Sequence, residues 1–76
     1  MYSWDRLTVF QRSLVNFVRE YRLESIRDVV EGIQKNKLPP YYQHLKLYPP
    51  YVIVANLKFL HSAGLVWRYE RVKQRV

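Results

Sequence analysis

The sequence predicts a mainly α-helical domain with a small β element, an α+β fold of three helices and one strand. The helical prediction comes from apolar residues that recur at helical spacing in three segments. These segments cover about residues 5–22, 26–36 and 50–63. Two Pro-Pro pairs separate the second and third segments, because proline biases its predecessor toward extended geometry. After Gly64 the spacing shortens to two, which predicts a strand over about residues 65–72.

The first predicted helix has one apolar face. Its apolar residues recur at spacings of three, four and seven and fall within an arc of about 100°. They are Leu7, Phe10, Leu14, Phe17, Val18 and Tyr21. Asp5 is positioned to cap the start of this helix. We therefore expect residues 5–22 to pack this face on the core, in a chain that forms a single domain over residues 1–76.

The second predicted helix begins at a capping signal. Ser25 can accept a backbone hydrogen bond, and Asp28 follows three residues later as a short capping-box partner. Ile26, Val29, Val30 and Ile33 mark its apolar face. The proline-rich connector that follows is predicted to be ordered, with one helical turn at residues 41–45.

The third predicted helix runs from Pro50, a favourable first helical residue, to about Ala63. Its core line consists of Ile53, Leu57 and Leu60. Gly64 can adopt the left-handed conformation that ends helices. Beyond it the side chains alternate, and we expect two opposite sides of a strand. One side holds Leu65, Trp67 and Tyr69, and the other holds Val66, Arg68 and Glu70.

The net charge of +7 lies entirely in the second half of the chain. Residues 1–34 hold equal numbers of cations and anions, whereas residues 35–76 hold eight cations and one carboxylate, Glu70. A one-sided basic segment is typical of proteins that bind a polyanion. No apolar run reaches the roughly 18 residues of a membrane span. The N-terminus lacks the pattern of a secretory signal peptide, so we expect an intracellular, cytoplasmic protein.

The segment ANLKFLHSAGLVWR resembles the recognition helix and wing of small winged helix-turn-helix DNA-binding regulators. The matching positions are Leu57, Leu60, Ala63, Gly64, Leu65 and Val66, followed by Arg68. The resemblance implies a three-helix winged helix-turn-helix fold whose third helix lies in the major groove. Because no glycine, proline or asparagine follows Gly64, we expect a reduced wing, or one long strand that pairs with the short segment before the second helix or with a second protomer. The tyrosine-rich, cysteine-free composition is similar to that of small regulators from archaea or archaeal viruses.

Two groups of residues are candidates for DNA binding. Opposite the core line of the third helix, within an arc of about 60°, the sequence places Tyr51, Ala55, Lys58 and Ser62. On the C-terminal segment, cations at strand spacing suit successive phosphates. These are Arg68, Arg71, Lys73 and Arg75. The Val54-Ala55 turn offers few hydrogen-bonding groups, which argues against detailed readout of bases.

The sequence favours a homodimeric, nucleoid-associated transcriptional regulator that binds duplex DNA. Apolar residues outside the core lines suggest a second copy as partner: Val9, Val15, Val52 and Phe59. The alternative is a winged-helix module for protein–protein contact without direct DNA readout. We expect no enzymatic activity, cofactor or metal, because His44 and His61 stand alone and no nucleophile or acid–base pair is evident.

Overall fold

The computed structural model describes residues 4–35 and 38–67. Within these two ranges the fold is all-α and contains no strand, so the predicted α+β class is wrong. The described residues form three α-helices and two 3₁₀ helices. The α-helices are α1 (Val9–Tyr21), α2 (Ile26–Gln34) and α3 (Pro50–Ser62). The 3₁₀ helices are Trp4–Arg6 and Pro40–Leu47.

The predicted strand is absent where the structure describes it, at residues 65–67. Gly64 has a φ of 78°, and the Leu65 N–H donates to the Leu60 carbonyl at 2.9 Å. These are the features of a Schellman turn that folds the chain back over the end of α3. Residues 65–67 then form bends. Residues 68–72 of the predicted strand lie outside the described ranges.

The side chains of Val66 and Trp67 explain why strand alternation fails here. Both are buried, with 3% and 6% of their surface exposed, whereas a strand would place them on opposite sides. Trp67 has a φ of 57°, and its indole N–H donates to the Leu23 carbonyl at 2.8 Å. Burial of two adjacent apolar side chains therefore overrides the local pattern, and the strand predicted to begin the wing is corrected to a packed turn at residues 65–67.

α1 begins later than predicted. Thr8 rather than Asp5 caps it: the Thr8 side chain accepts from the Gln11 N–H at 3.1 Å, and the Gln11 side chain accepts from the Thr8 N–H at 3.0 Å. This reciprocal capping box stabilises the first turn. Asp5 lies instead in the separate 3₁₀ helix. At the other end, Arg22 has a φ of 53° and ends the helix.

α2 begins at Ser25, whose hydroxyl accepts from the Asp28 N–H at 3.1 Å. The connector after it contains more helix than one turn, because its 3₁₀ helix extends over eight residues. This segment packs inward through Tyr42 and Leu45, which are 3% and 0% exposed. The connector is therefore part of the core rather than a loop around it.

The core is formed where all three α-helices and the connector meet. Its fully buried side chains are Leu14, Val15, Val29, Leu45, Ile53, Leu57 and Leu60. Each contributes about 1.5–3 kcal/mol by leaving water. Gly32 permits close approach of α2 to α1, since a Cβ there would lie 3.3 Å from the Phe17 ring. No helix in residues 4–35 and 38–67 is long and apolar enough to cross a membrane.

Candidate nucleic-acid interface

The outer face of α3, defined here as Tyr51, Ala55, Lys58 and Ser62, points into solvent. All four side chains are exposed, and Tyr51 retains 75% of its accessible surface. The opposite side of the helix carries Ile53, Leu57 and Leu60, which are at most 2% exposed. Burial of this apolar line fixes the orientation of α3, and the helical repeat then places the outer face on the opposite, solvent-facing side. The outer face spans about 17 Å along the helix axis.

A chain of side-chain hydrogen bonds holds α3 against α1. The Gln11 amide N–H donates to Asn56 Oδ1 at 3.0 Å, and Asn56 Nδ2 donates to the Val52 carbonyl at 2.8 Å. Gln11 is also the capping-box residue of α1, so one side chain both starts α1 and positions α3. The sequence analysis missed this link. Its only sequence signal is the Thr8-x-x-Gln11 spacing, which does not reveal a partner 45 residues away.

The C-terminal end of α3 is attached to α1 and to the α1–α2 junction. The Arg19 guanidinium donates to the Leu65 carbonyl at 3.4 Å, and Trp67 donates to Leu23. Trp67 is the last described residue, so the chain reaches this junction immediately before the basic segment begins. The predicted contacts of that segment, Arg68, Arg71, Lys73 and Arg75, lie outside the described residues.

The charges of the described residues are separated along the chain. No aspartate or glutamate occurs between residues 32 and 69, so α3 and the connector carry Lys46 and Lys58 without a carboxylate. The carboxylates lie earlier, at Asp5, Glu20, Glu24, Asp28 and Glu31. Lys58 is exposed on α3. The outer face of α3 therefore presents a cation and no anion, which is the local charge that a phosphate backbone attracts.

Three of the described carboxylates have partners within the chain, and one of them, Asp28, accepts from the Glu24 backbone N–H at 3.3 Å. Glu31 pairs with Arg27 at 3.6 Å, one helical turn apart on α2, and this exposed pair contributes little stability. Glu20 accepts a hydrogen bond from the Tyr42 hydroxyl at 2.6 Å. Burial, together with this bond and the Glu20 charge, raises the pKa of Tyr42 well above its ordinary value. The Tyr42 hydroxyl therefore keeps its proton and acts as a hydrogen-bond donor within the fold.

The chemistry of the outer face suits phosphates and methyl groups. It offers the Lys58 ammonium and the hydroxyls of Tyr51 and Ser62, with Ala55 between them and half-buried Val54 at its edge. Base edges are read by arginine or lysine at guanine and by asparagine or glutamine at adenine. Lys58 is the one residue of these types on the outer face. It can therefore position a duplex more readily than it can select a sequence.

The two histidines have structural surroundings. His44 Nε2 lies 3.1 Å from the hydroxyl of Ser13, which is buried in α1. The His61 ring packs edge-on against Trp67 with ring centroids 5.7 Å apart. Among the described residues, no group of three or more His, Asp or Glu side chains could hold a metal ion.

The apolar residues that suggested a dimer are distributed differently from the prediction. Val15 is fully buried, and Val52 and Phe59 are half-buried against the core. Val9 is 73% exposed. Among the described residues, the most exposed large aliphatic side chain is that of Leu47, at 83%, and it was not predicted from the sequence.

Comparisons with protein-family models, curated proteins and solved structures found no match to this chain. The resemblance to winged helix-turn-helix regulators stays a prediction.

Proposed function

We propose that this chain binds duplex DNA as a homodimeric regulator, with the outer face of α3 in the major groove and the basic C-terminal segment on the adjacent backbone. The observation that carries the proposal is the exposed, carboxylate-free face of α3. A 13-residue helix about 20 Å long fits a major groove about 12 Å wide. Binding is tolerant of sequence, because phosphate contacts supply most of the attraction.

The residues proposed to contact DNA have separate roles. Lys58 and Ser62 contact phosphates from the C-terminal half of α3, and Tyr51 contacts a phosphate or a thymine methyl from the first turn. Ala55 permits close approach of the helix to the bases. Arg68, Arg71, Lys73 and Arg75 add phosphate contacts. A two-fold dimer would place two such helices in successive major grooves, about one helical turn of DNA apart.

The test is the salt dependence of binding to a random duplex, measured by fluorescence anisotropy. If the five cations each neutralise one phosphate, the slope of log K against log salt is about −4.5 per protomer. Affinity then falls about 500-fold between 50 and 200 mM salt. Size-exclusion chromatography of the free protein reports the oligomeric state. Affinity that hardly changes over this range would overturn the proposal.

A matched pair of variants tests the role of α3. Lys58→Gln should reduce the salt slope by about 0.9. Arg27→Gln removes the same charge from α2, far along the chain from the outer face, and should leave the slope unchanged. An RNA duplex of the same sequence is a further control, because the deep, narrow major groove of A-form RNA excludes a helix. Equal effects of the two variants would indicate attraction to net charge alone.

A protein–protein module is the second candidate function. It is favoured by the high exposure of Tyr51 and Leu47 and by half-buried Val54 at the edge of the outer face, since exposed apolar residues are common at protein–protein contacts. This function predicts that Tyr51→Ala and Val54→Ala abolish assembly in sedimentation experiments while Lys58→Gln has no effect. The DNA-binding function predicts instead that Lys58→Gln weakens duplex binding in the anisotropy assay more than Tyr51→Ala or Val54→Ala does.

A further inference from the structure

A groove separate from the outer face of α3 lies between α2, the end of the connector and the first turn of α3. Its volume is about 260 Å³. Ile33 and Ile53, each 2% exposed, are its most buried lining residues. Val30, Tyr48 and Pro50 complete the apolar lining. The groove is therefore continuous with the hydrophobic core and open to solvent.

The apolar lining of this groove is held in place before any ligand arrives. The Tyr48 ring stacks on Phe10 of α1, with centroids 3.9 Å apart and the planes at 24°. Pro50 has a rigid ring and opens α3, and the two isoleucines belong to α2 and α3. A preformed apolar cleft with a few polar groups is the usual form of a small-molecule site.

The polar lining of the groove consists of Gln34 and Lys46, both exposed. Lys46 is the one charged residue among those that line the groove, and no carboxylate lies beside it there. A ligand that buries an apolar tail between α2 and α3 would therefore place its polar end beside an ammonium group. An anionic end is favoured and a cationic end is disfavoured.

We propose that this groove binds an aliphatic carboxylate, with the hydrocarbon tail against Ile33 and Ile53 and the carboxylate beside Lys46. The Gln34 amide can donate a second hydrogen bond to the same carboxylate. The groove, with a volume of about 260 Å³, accommodates a short acyl chain, and the further methylenes of a longer chain would extend into solvent. This binding does not depend on the proposed DNA contacts, since none of its residues belongs to the outer face.

The experiment is a ¹⁵N–¹H NMR titration of the full chain with butanoate, hexanoate and octanoate. Amides of α2 and the first turns of α3 should shift, and each added methylene should tighten binding about fourfold until the groove is full. Octylammonium, with the same tail as octanoate and the opposite charge, should bind more weakly. Longer chains than the groove accommodates should bring no further gain.

Three variants locate the site. Lys46→Gln should weaken octanoate binding about two- to fivefold, as expected for an exposed ion pair. Lys58→Gln removes an equal charge from the outer face of α3 and should leave octanoate binding unchanged. Gln34→Trp, at an exposed position, should cover the groove and abolish binding while the amide spectrum of the fold is retained.

Several outcomes would overturn the proposal. These are equal binding of octanoate and octylammonium, no gain with chain length, shifts confined to other parts of the chain, and equal effects of Lys46→Gln and Lys58→Gln. If Gln34→Trp does not fold, the comparison of the two lysine variants still decides the outcome.

Discussion

Replacing Trp67 with phenylalanine tests the turn that replaces the predicted strand. The change removes the indole N–H that donates to the Leu23 carbonyl at 2.8 Å and leaves a smaller ring in a site that is 6% exposed. Loss of the hydrogen bond costs about 1 kcal/mol, and the unfilled volume costs about 1 kcal/mol more. A domain of this size has a total stability of about 4–11 kcal/mol. Trp67→Phe should therefore remove a substantial part of it.

The assays are urea unfolding and thermal unfolding, both followed by far-ultraviolet circular dichroism, because the substitution changes tryptophan fluorescence directly. A loss of about 2 kcal/mol should lower the thermal midpoint by about 8–16 °C for a domain of this length. The urea m-value should not change, since the surface exposed on unfolding is nearly the same. Leu47→Ala, at a site 83% exposed, is the control and should stay within about 0.5 kcal/mol of the parent.

A companion variant at the preceding residue makes the test specific. Val66 is 3% exposed, so Val66→Ala should cost about 2 kcal/mol. In a strand with one solvent-facing side, only one of two adjacent residues would be costly to truncate. If one of Val66→Ala and Trp67→Phe is neutral, residues 65–67 alternate as a strand does and the packed turn is refuted.

Three further substitutions test contacts elsewhere in the fold by urea unfolding. Tyr42→Phe removes the hydroxyl that donates to Glu20 and should cost about 1 kcal/mol of stability at neutral pH. Because the pKa of Tyr42 is raised above 10.0 in the folded state, this stabilisation is present below pH 10 and fades as the pH rises beyond it. A difference in stability between parent and variant that is unchanged at pH 11 would contradict the assignment. Gly32→Ala should lower the free energy of unfolding by about 1 kcal/mol, because the new Cβ would press on the Phe17 ring and overpacking outweighs the gain in helix propensity. A stabilised variant would show that this ring moves freely. Ser25→Ala should cost about 1 kcal/mol by removing the cap of α2, and no change would show that another group caps that helix.

The proposed effect of Lys58→Gln on DNA binding is separate from any effect on stability. Lys58 is exposed and forms part of no core contact, so Lys58→Gln should leave the unfolding midpoint within about 0.5 kcal/mol of the parent. A change in affinity without a change in stability would assign its effect to the interface.

Features controlled by neighbouring residues were predictable from the sequence. Ser25 lies where a hydroxyl can reach the N–H three residues later, and it caps α2. Gly64 is the residue that tolerates a φ of 78°, and α3 ends just before it. The exposure of Tyr51 and Lys58 could be foreseen in the same way, because a helix that buries Ile53 and Leu57 must turn its opposite side outward.

Features that depend on distant residues were mispredicted or missed. The start of α1 was placed at Asp5, although Thr8 and Gln11 form the cap and Gln11 is also engaged by Asn56. Val15 was expected on the surface, yet it is fully buried. A helical wheel reveals one apolar line, but it does not reveal that α3 and the turn after it approach the flank of α1 that carries Val15, where Gln11 bonds Asn56 and Arg19 bonds Leu65.

The amino-acid sequence by itself determined three amphipathic helices, their approximate ends and the concentration of positive charge after residue 34, because these depend on side-chain periodicity and local capping. Only the tertiary structure decided the course of the chain after Gly64. The alternation from Leu65 to Trp67 is compatible with a strand, but a strand needs a partner for its backbone hydrogen bonds. The free energy is lower when Val66 and Trp67 are both buried and the indole N–H binds the Leu23 carbonyl, a contact between residues 44 positions apart.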